Sequence, residues 1–184
     1  MPHVLMICGS LRKKSFNRQL MDEIRGMIGD RAEIHELTWD DVPFMNQDAE
    51  WPTPAPVQRA RDAVAAADGI WICSPEYNYN IPGGLKNLLD WLSRPTDESD
   101  YTSPSILRDK RATISGVGGR AATAGMRNNM EKLFAAMGVE AIGKTGVGIS
   151  VDPSAWTTDI LELTDEQRAQ LADQVETFLA AIAE

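Results

Sequence analysis

A stretch near the N-terminus combines hydroxyl, amide and cationic side chains, and it follows an apolar run over residues 4–8. Its sequence is Gly9-Ser10-Leu11-Arg12-Lys13-Lys14-Ser15-Phe16-Asn17-Arg18. A helical pattern begins within it, and the free N–H groups and dipole of a helix N-terminus favour a bound anion. Ser10, Ser15 and Asn17 add neutral donors, and the planar fork of Arg12 can hold two phosphate oxygens. We name residues 9–18 the anion cradle.

The composition of the cradle indicates which kind of phosphate group it could bind. A dinucleotide pyrophosphate is usually approached through glycines spaced G-x-G-x-x-G, and here only Gly9 is present. Side-chain donors in place of glycines suit a terminal monophosphate better than a bridging diphosphate. The alternative interpretation is an ordinary strand-to-helix turn with a serine cap and a solvated basic face.

The charge of the chain also points to a local ligand. The formal net charge is −9 at pH 7 over 184 residues, which argues against a nucleic-acid partner because such partners need a basic face. Four of the 18 basic residues nevertheless crowd into the cradle, namely Arg12, Lys13, Lys14 and Arg18. In an acidic protein, this clustering indicates an anionic small molecule.

A second stretch of polar and aromatic side chains follows an apolar strand predicted over residues 69–74. It reads Pro75-Glu76-Tyr77-Asn78-Tyr79-Asn80-Ile81-Pro82-Gly83-Gly84. Its phenols, amides, carboxylate and backbone groups would suit a planar heterocycle with donors and acceptors along one edge. Glycines in a predicted turn after the fourth strand, at Gly116, Gly118 and Gly119, would let a flat ring lie against backbone. A simple connection of the same composition is the alternative.

The elements that position these stretches alternate between strand and helix. We predict strands over residues 4–8, 33–37, 69–74 and 112–115 and within 141–151, and helices over residues 15–28, 57–67, 85–93, 120–137 and from a capping box at 164–167 to the end. This alternation predicts an α/β fold of one domain over residues 1–184, a three-layer α/β/α sandwich whose five-stranded parallel sheet has the order 2-1-3-4-5. Ligands then bind beyond the carboxyl ends of strands one and three. A proline-rich loop over residues 38–56 is predicted as a rim of that site.

Two long motifs give the chain a resemblance to a known family. They are Gly9-Ser10-x-Arg12-x-x-Ser15-x-Asn17-x-x-Leu20 and Pro75-Glu76-Tyr77-Asn78-x-x-x-Pro82-Gly83-x-Leu85-Lys86-Asn87-x-x-Asp90-Trp91. Together they resemble the NADPH-dependent FMN reductase family of flavodoxin-like proteins. That family includes bacterial quinone, chromate, azo-dye and ferric-chelate reductases.

The resemblance implies a set of FMN-binding residues and no catalytic side chain, because the flavin carries the chemistry. Ser10, Arg12, Ser15 and Asn17 would hold the FMN phosphate, with Phe16 beside it. The ring would lie against Pro75, Glu76, Tyr77 and Asn78, and would be approached from the fourth strand by Ser115, Gly116, Gly118 and Gly119.

The resemblance also implies an activity and an assembly. NAD(P)H would pass hydride to FMN, which would then reduce small-molecule acceptors (quinones, chromate, azo compounds or ferric chelates) by a ping-pong mechanism. The helix from Leu85 to Arg94 would contact a second subunit in a homodimer or tetramer. The apolar contact would come from Leu85, Leu88, Leu89, Trp91 and Leu92, unless that helix simply faces the core. A non-enzymatic FMN electron carrier, docking on a basic partner through its negative charge, is the main alternative function.

Two phosphate-chemistry alternatives have weaker support. Residues 138–145 fit the nucleotide-binding pattern G-x-x-x-x-G-K-[ST], but a helix precedes them and a strand follows, the reverse of what that loop needs. A phosphatase using Cys8 would place arginine where Lys14 stands. We expect Cys8 and Cys73 to be buried core residues, and predict neither a disulfide nor a metal site. With no signal peptide and no membrane span predicted, we expect a cytoplasmic protein.

Overall fold

The computed structural model describes residues 1–183 and contains a parallel sheet with helices on both faces. Its strands are β1 (His3–Cys8), β2 (Glu33–Glu36), β3 (Gly69–Cys73), β4 (Arg111–Gly118), β5 (Glu140–Ala141) and β6 (Val147–Ser150). Its helices are α1 (Phe16–Ile28), α2 (Ala55–Ala66), α3 (Gly83–Leu92), α4 (Ala124–Met137), α5 (Ala155–Thr158) and α6 (Asp165–Ile182), and short 3-10 turns occur at Gly29–Arg31 and Gln47–Ala49.

The sheet has the order β2-β1-β3-β4-β5, with all pairs parallel, which confirms the predicted topology. Side chains alternate between its two faces because successive residues of a strand point to opposite sides. In β1, Met6 packs against α1 and α6, whereas Leu5 and Ile7 pack against α2 and α3. Every residue of β3 is buried, as expected of a central strand covered on both faces.

The predicted helix ends are marked by their capping residues. Ser15 is the N-cap of α1, where its side chain accepts a hydrogen bond from the N–H of Asn17. At the start of α6, Thr164 and Gln167 form the predicted capping box. None of the helices within residues 1–183 is long and apolar enough to cross a membrane.

The fifth position of the sheet differs from the prediction because two short strands share it. β5 pairs with the first half of β4, and β6 pairs with the second half from Ser115 to Gly118. Between them the chain turns through positive φ angles at Gly143, Lys144 and Gly146. Since β6 extends the pairing, the glycines predicted as a turn lie within β4 as far as Gly118, and α4 begins at Ala124.

The apolar side chains of α3 correct a second expectation. Leu85, Leu88, Leu89, Trp91 and Leu92 are each at most 1% exposed and pack in the core of their own chain, so they cannot form the predicted subunit contact. The loop over residues 38–56 covers the helix from outside, where the carbonyl of Pro43 accepts hydrogen bonds from Trp91 Nε1 at 2.8 Å and Asn87 Nδ2 at 2.9 Å.

Candidate functional site

An open cavity of about 520 Å³ lies where β1, β3 and β4 end. This is the edge at which open parallel sheets bind ligands. Ten of the predicted site residues line it: Ser10, Arg12, Ser15, Phe16, Asn17, Pro75, Glu76, Tyr77, Gly118 and Gly119. The fold therefore brings the anion cradle and the second loop to one cavity. The loop over residues 38–56, predicted as a rim, does not line it.

Three predicted residues are not part of the cavity wall. Ser115 is fully buried, and its hydroxyl accepts a hydrogen bond from Trp71 Nε1 at 3.1 Å and donates one to Gln174 Oε1 at 2.9 Å. Gly116 is buried within β4, where an added Cβ would lie 2.3 Å from Thr123 Oγ1. Asn78 is exposed, directly after Tyr77.

Five residues that the sequence did not single out also line the cavity, namely Val117, Arg120, Ala121, Thr123 and Trp156. Trp156 belongs to α5 and is linked to the cradle by an edge-to-face contact with Phe16, with ring centres 5.1 Å apart. It lies 140 residues from Phe16 in the sequence. No local pattern could have paired these two rings.

The cradle is shaped by hydrogen bonds among its own residues. The N–H of Arg12 donates to Ser10 Oγ at 3.3 Å, and the N–H of Ser15 donates to the carbonyl of Arg12 at 3.1 Å. Asn17 has a structural role. Its Oδ1 accepts a hydrogen bond from the N–H of Val117 at 2.9 Å, and its Nδ2 donates one to the carbonyl of Val117 at 3.2 Å. The Asn17 side chain thus fastens the start of α1 to β4, and hydroxyls and guanidinium remain as anion donors.

The cations of the cradle differ in what they contact. Arg12 donates to Asp159 and lies over the ring of Phe16, 5.7 Å from its centre. The hydrogen bond from Arg12, with a second from Lys14, holds the pKa of Asp159 below its usual value. Arg18 instead pairs with Glu36 at the edge of the sheet. Arg12 is therefore the cradle cation that lines the cavity, and Arg120, from outside the cradle, also lines it.

The loop after β3 is held against the N-terminus of α4. Glu76 Oε2 accepts a hydrogen bond from the N–H of Met126 at 2.8 Å, which satisfies one of the free donors of that helix. Tyr77 and Asn80 exchange backbone hydrogen bonds of 3.0 and 3.1 Å around Asn78 and Tyr79, which both have positive φ. The tyrosine rings stay outside, with Tyr77 53% and Tyr79 79% exposed.

The donor set fits a phosphate monoester joined to a flat heterocycle. Serine hydroxyls, a guanidinium and a helix N-terminus surround one end of the cavity. Next to the cradle along the same wall, Gly118 and Gly119 offer backbone without side chains. A cavity of this size is within the range that small cofactors occupy.

The phosphate-chemistry alternatives do not fit this structure. Burial raises the pKa of the Cys8 thiol, which opposes the thiolate that a nucleophile needs. Gly138 ends α4 with a φ of 73°, β5 follows it, and β6 comes after Thr145, so residues 138–145 lack the strand-to-helix context of a nucleotide-binding loop.

Comparison with known proteins agrees with the geometry. The family model described as NADPH-dependent FMN reductase matches residues 2–153. An NAD(P)H-dependent FMN reductase of Pseudomonas aeruginosa is 30% identical over 176 residues, which covers 95% of this chain and 92% of that protein. An NAD(P)H:quinone oxidoreductase of Solanum tuberosum is 32% identical over 184 residues, covering 96% of this chain and 90% of that protein.

A solved structure extends the similarity to three dimensions. The flavoenzyme NAD(P)H:(acceptor) oxidoreductase FerB from Paracoccus denitrificans superposes with a TM-score of 0.84 at 28% identity, over 100% of this chain and 98% of that one. The chain therefore belongs to the NADPH-dependent FMN reductase family, and the predictions of an FMN cofactor and of an NAD(P)H-dependent flavin oxidoreductase are confirmed.

Proposed function

We propose that this protein reduces quinones with NAD(P)H, and that the two substrates use the same cavity in turn, in ping-pong order. The main support is the geometry of the cavity, in which a phosphate cradle and an open, aromatic-bordered mouth lie at the same sheet edge. The Solanum tuberosum relative, named a quinone oxidoreductase, adds support for the acceptor.

The cradle residues would hold the cofactor by its phosphate. Arg12 would form the charge-assisted hydrogen bonds, and Ser10 and Ser15 would add neutral ones. Asn17 would keep the cradle in register with β4 through Val117. Bound FMN supplies the hydride-accepting and hydride-donating chemistry.

The other end of the cavity would orient the ring and the substrates. Pro75, Glu76 and Tyr77 would border the ring on one side, and Gly118 and Gly119 would let it approach the backbone of β4. A quinone is flat and uncharged, so it can stack beside exposed aromatic side chains such as Tyr77. Its reduction to a hydroquinone takes one hydride equivalent and one proton, and water at the open mouth would supply the proton.

The acceptor classes differ in how well they fit this mouth. Azo compounds share the flat aromatic shape of quinones and are the second class we expect to react. Chromate and ferric chelates offer no flat apolar ring, so we expect lower kcat/KM values for them.

Steady-state kinetics test the proposal. Initial rates measured with NADPH at several fixed benzoquinone concentrations should give parallel double-reciprocal lines, and NADPH alone should bleach the flavin absorbance without any acceptor. Intersecting lines would overturn the ping-pong order. A kcat/KM for ferric citrate or chromate above that for benzoquinone would overturn the acceptor assignment.

Assembly and compartment remain predictions. A homodimer or tetramer formed through α3 would use the outer, polar side of that helix, where Lys86 pairs with Asp90, because its apolar side chains are buried. Light scattering at several protein concentrations would test the assembly. The cytoplasm remains the predicted compartment on the basis of the sequence.

A further inference from the structure

A segment beyond the matched family region covers the cradle. We name residues 154–161 the cover segment; it begins one residue after residue 153, where the family match ends. Ala155 and Leu161 anchor it in the core, each less than 10% exposed. Gln19 of α1 fastens it further, because its Nε2 donates to the carbonyl of Asp159 at 2.9 Å and its Oε1 accepts from the N–H of Leu161 at 2.8 Å.

The cover segment turns one carboxylate toward the cradle. Asp159 Oδ1 accepts a hydrogen bond from Arg12 Nη2, and its Oδ2 lies 3.3 Å from Lys14 Nζ. Asp159 has a φ of 58°, a left-handed conformation that aspartate and asparagine tolerate better than most residues. The Gln19 contacts and this turn together fix the carboxylate against the two cations.

The position of this carboxylate conflicts with the ligand that the cradle suits. A phosphate monoester would bind Arg12 through the same kind of charge-assisted contact that Asp159 makes. Two anions that share one guanidinium repel each other, and each lowers the attraction available to the other.

We propose that Asp159 competes with the FMN phosphate for Arg12 and Lys14, and that it thereby weakens FMN binding and sets how readily the flavin leaves. This inference rests on the assignment of the cradle to the FMN phosphate. It concerns a residue that lies after residue 153, where the match to the family model ends. Riboflavin has the same ring and no phosphate, so its affinity is independent of Asp159.

The test is the substitution Asp159→Asn, which removes the charge, keeps the shape and is tolerated at this φ. The FMN-loaded protein is diluted, and the fluorescence of released flavin gives the dissociation constant; the same measurement is made with riboflavin. Asp159→Asn should bind FMN about two- to fivefold more tightly, the range of exposed ion pairs, with riboflavin unchanged. Glu162→Gln is the matched control, because it removes one exposed negative charge three residues away and should change neither constant.

Four results would overturn the proposal. Weaker FMN binding by Asp159→Asn would mean that the carboxylate holds Arg12 in position for the phosphate. Equal changes for FMN and riboflavin, or the same change in Glu162→Gln, would mean that Asp159 acts through folding or net charge. In a variant that carries both Arg12→Ala and Lys14→Ala, Asp159→Asn should give a smaller gain, because only the direct repulsion between carboxylate and phosphate is left to relieve. An undiminished gain there would exclude competition for these cations.

The test of Asp159 can fail without the proposed quinone reduction failing, and the reverse is also true. Quinone reduction by the unsubstituted protein, measured beside the binding constants, stands or fails independently of Asp159. An FMN affinity that Arg12→Ala leaves unchanged would instead show that the cradle itself is wrongly assigned. Circular dichroism of each variant checks that the fold is retained.

Discussion

The two loops that line the cavity are held in place by different parts of the chain. The cradle after β1 is held by side chains, through the Asn17 contacts to β4 and the ion pair of Arg12 with Asp159. The loop after β3 folds on itself through a tight backbone turn between Tyr77 and Asn80, and one side chain, Glu76, ties it to the N-terminus of α4.

This difference separates two functions within one cavity. Charged and hydroxyl side chains recognise a particular chemical group. The cradle should therefore determine how strongly the cavity prefers a ligand with a phosphate over one without. Backbone groups and exposed aromatic rings carry little charge and constrain the shape of what can bind. The loop after β3 should therefore govern how the flavin ring and the substrates approach. Substitutions at the two ends should therefore change different measured quantities.

Arg12→Ala should have the largest effect on cofactor binding. It removes the charge-assisted contact to the phosphate, a bond type worth about 1.5 to 3 kcal/mol when well formed. Because Arg12 is about half exposed and already shared with Asp159, we expect the smaller value, about tenfold weaker FMN binding. The riboflavin affinity, measured by the same fluorescence titration, should be unchanged.

Lys13→Ala is the control for that loss of charge. Lys13 is exposed next to Arg12 and does not line the cavity. It should weaken FMN binding less than Arg12→Ala does. Equal losses in the two variants would mean that only the general positive potential of the cradle matters.

Gly125→Ala should disturb the other end of the cavity. The new Cβ would lie 2.6 Å from the carbonyl oxygen of Tyr79 and 2.9 Å from Glu76 Oε2, so the loop after β3 must move away from α4. We expect kcat/KM for benzoquinone to fall about three- to tenfold, because catalytic geometry is sensitive to small displacements. The ratio of FMN to riboflavin affinity should stay the same.

Gly26→Ala is the matched control, since it is the same change in an exposed part of a helix. No atom lies within 4 Å of the Cβ it would add. It should increase the free energy of unfolding by about 0.5 to 1 kcal/mol, the ordinary benefit of alanine in a helix, and leave kcat/KM unchanged. A loss of kcat/KM in this variant as well would mean that the loss in Gly125→Ala does not report a displacement of the loop after β3.

Sequence patterns were sufficient for the parts of the site that are local in the chain. The apolar run before the cradle and the helical spacing after it specify a strand, a turn and a helix, and Ser15 is the cap they require. Topology then placed the two loops together, because parallel strands one and three end at the same sheet edge.

Contacts distant in sequence account for what the patterns missed. Ser115 points toward α6 because strand residues alternate faces, and its hydroxyl is taken by Trp71 and Gln174. The leucines of α3 could equally have packed on a second subunit, and only the packing of the whole chain resolves this. The link between Asp159 and Arg12 spans 147 residues, beyond any local signal.

The smallest effects that we predict come from removing the capping side chains of α1 and α4, the two helices that begin at the cavity. Ser15 accepts the N–H of Asn17 at 3.2 Å in α1, and Glu76 accepts the N–H of Met126 at 2.8 Å in α4. Ser15→Ala and Glu76→Ala should each lower the free energy of unfolding by about 1 kcal/mol in urea, the usual cost of losing a cap. Only Ser15→Ala should also reduce the preference for FMN over riboflavin, because only Ser15 belongs to the cradle. Glu76→Gln should retain most of the stability, since its amide oxygen can still accept the Met126 N–H. A changed FMN preference in Glu76→Ala would mean that the two ends of the cavity are coupled.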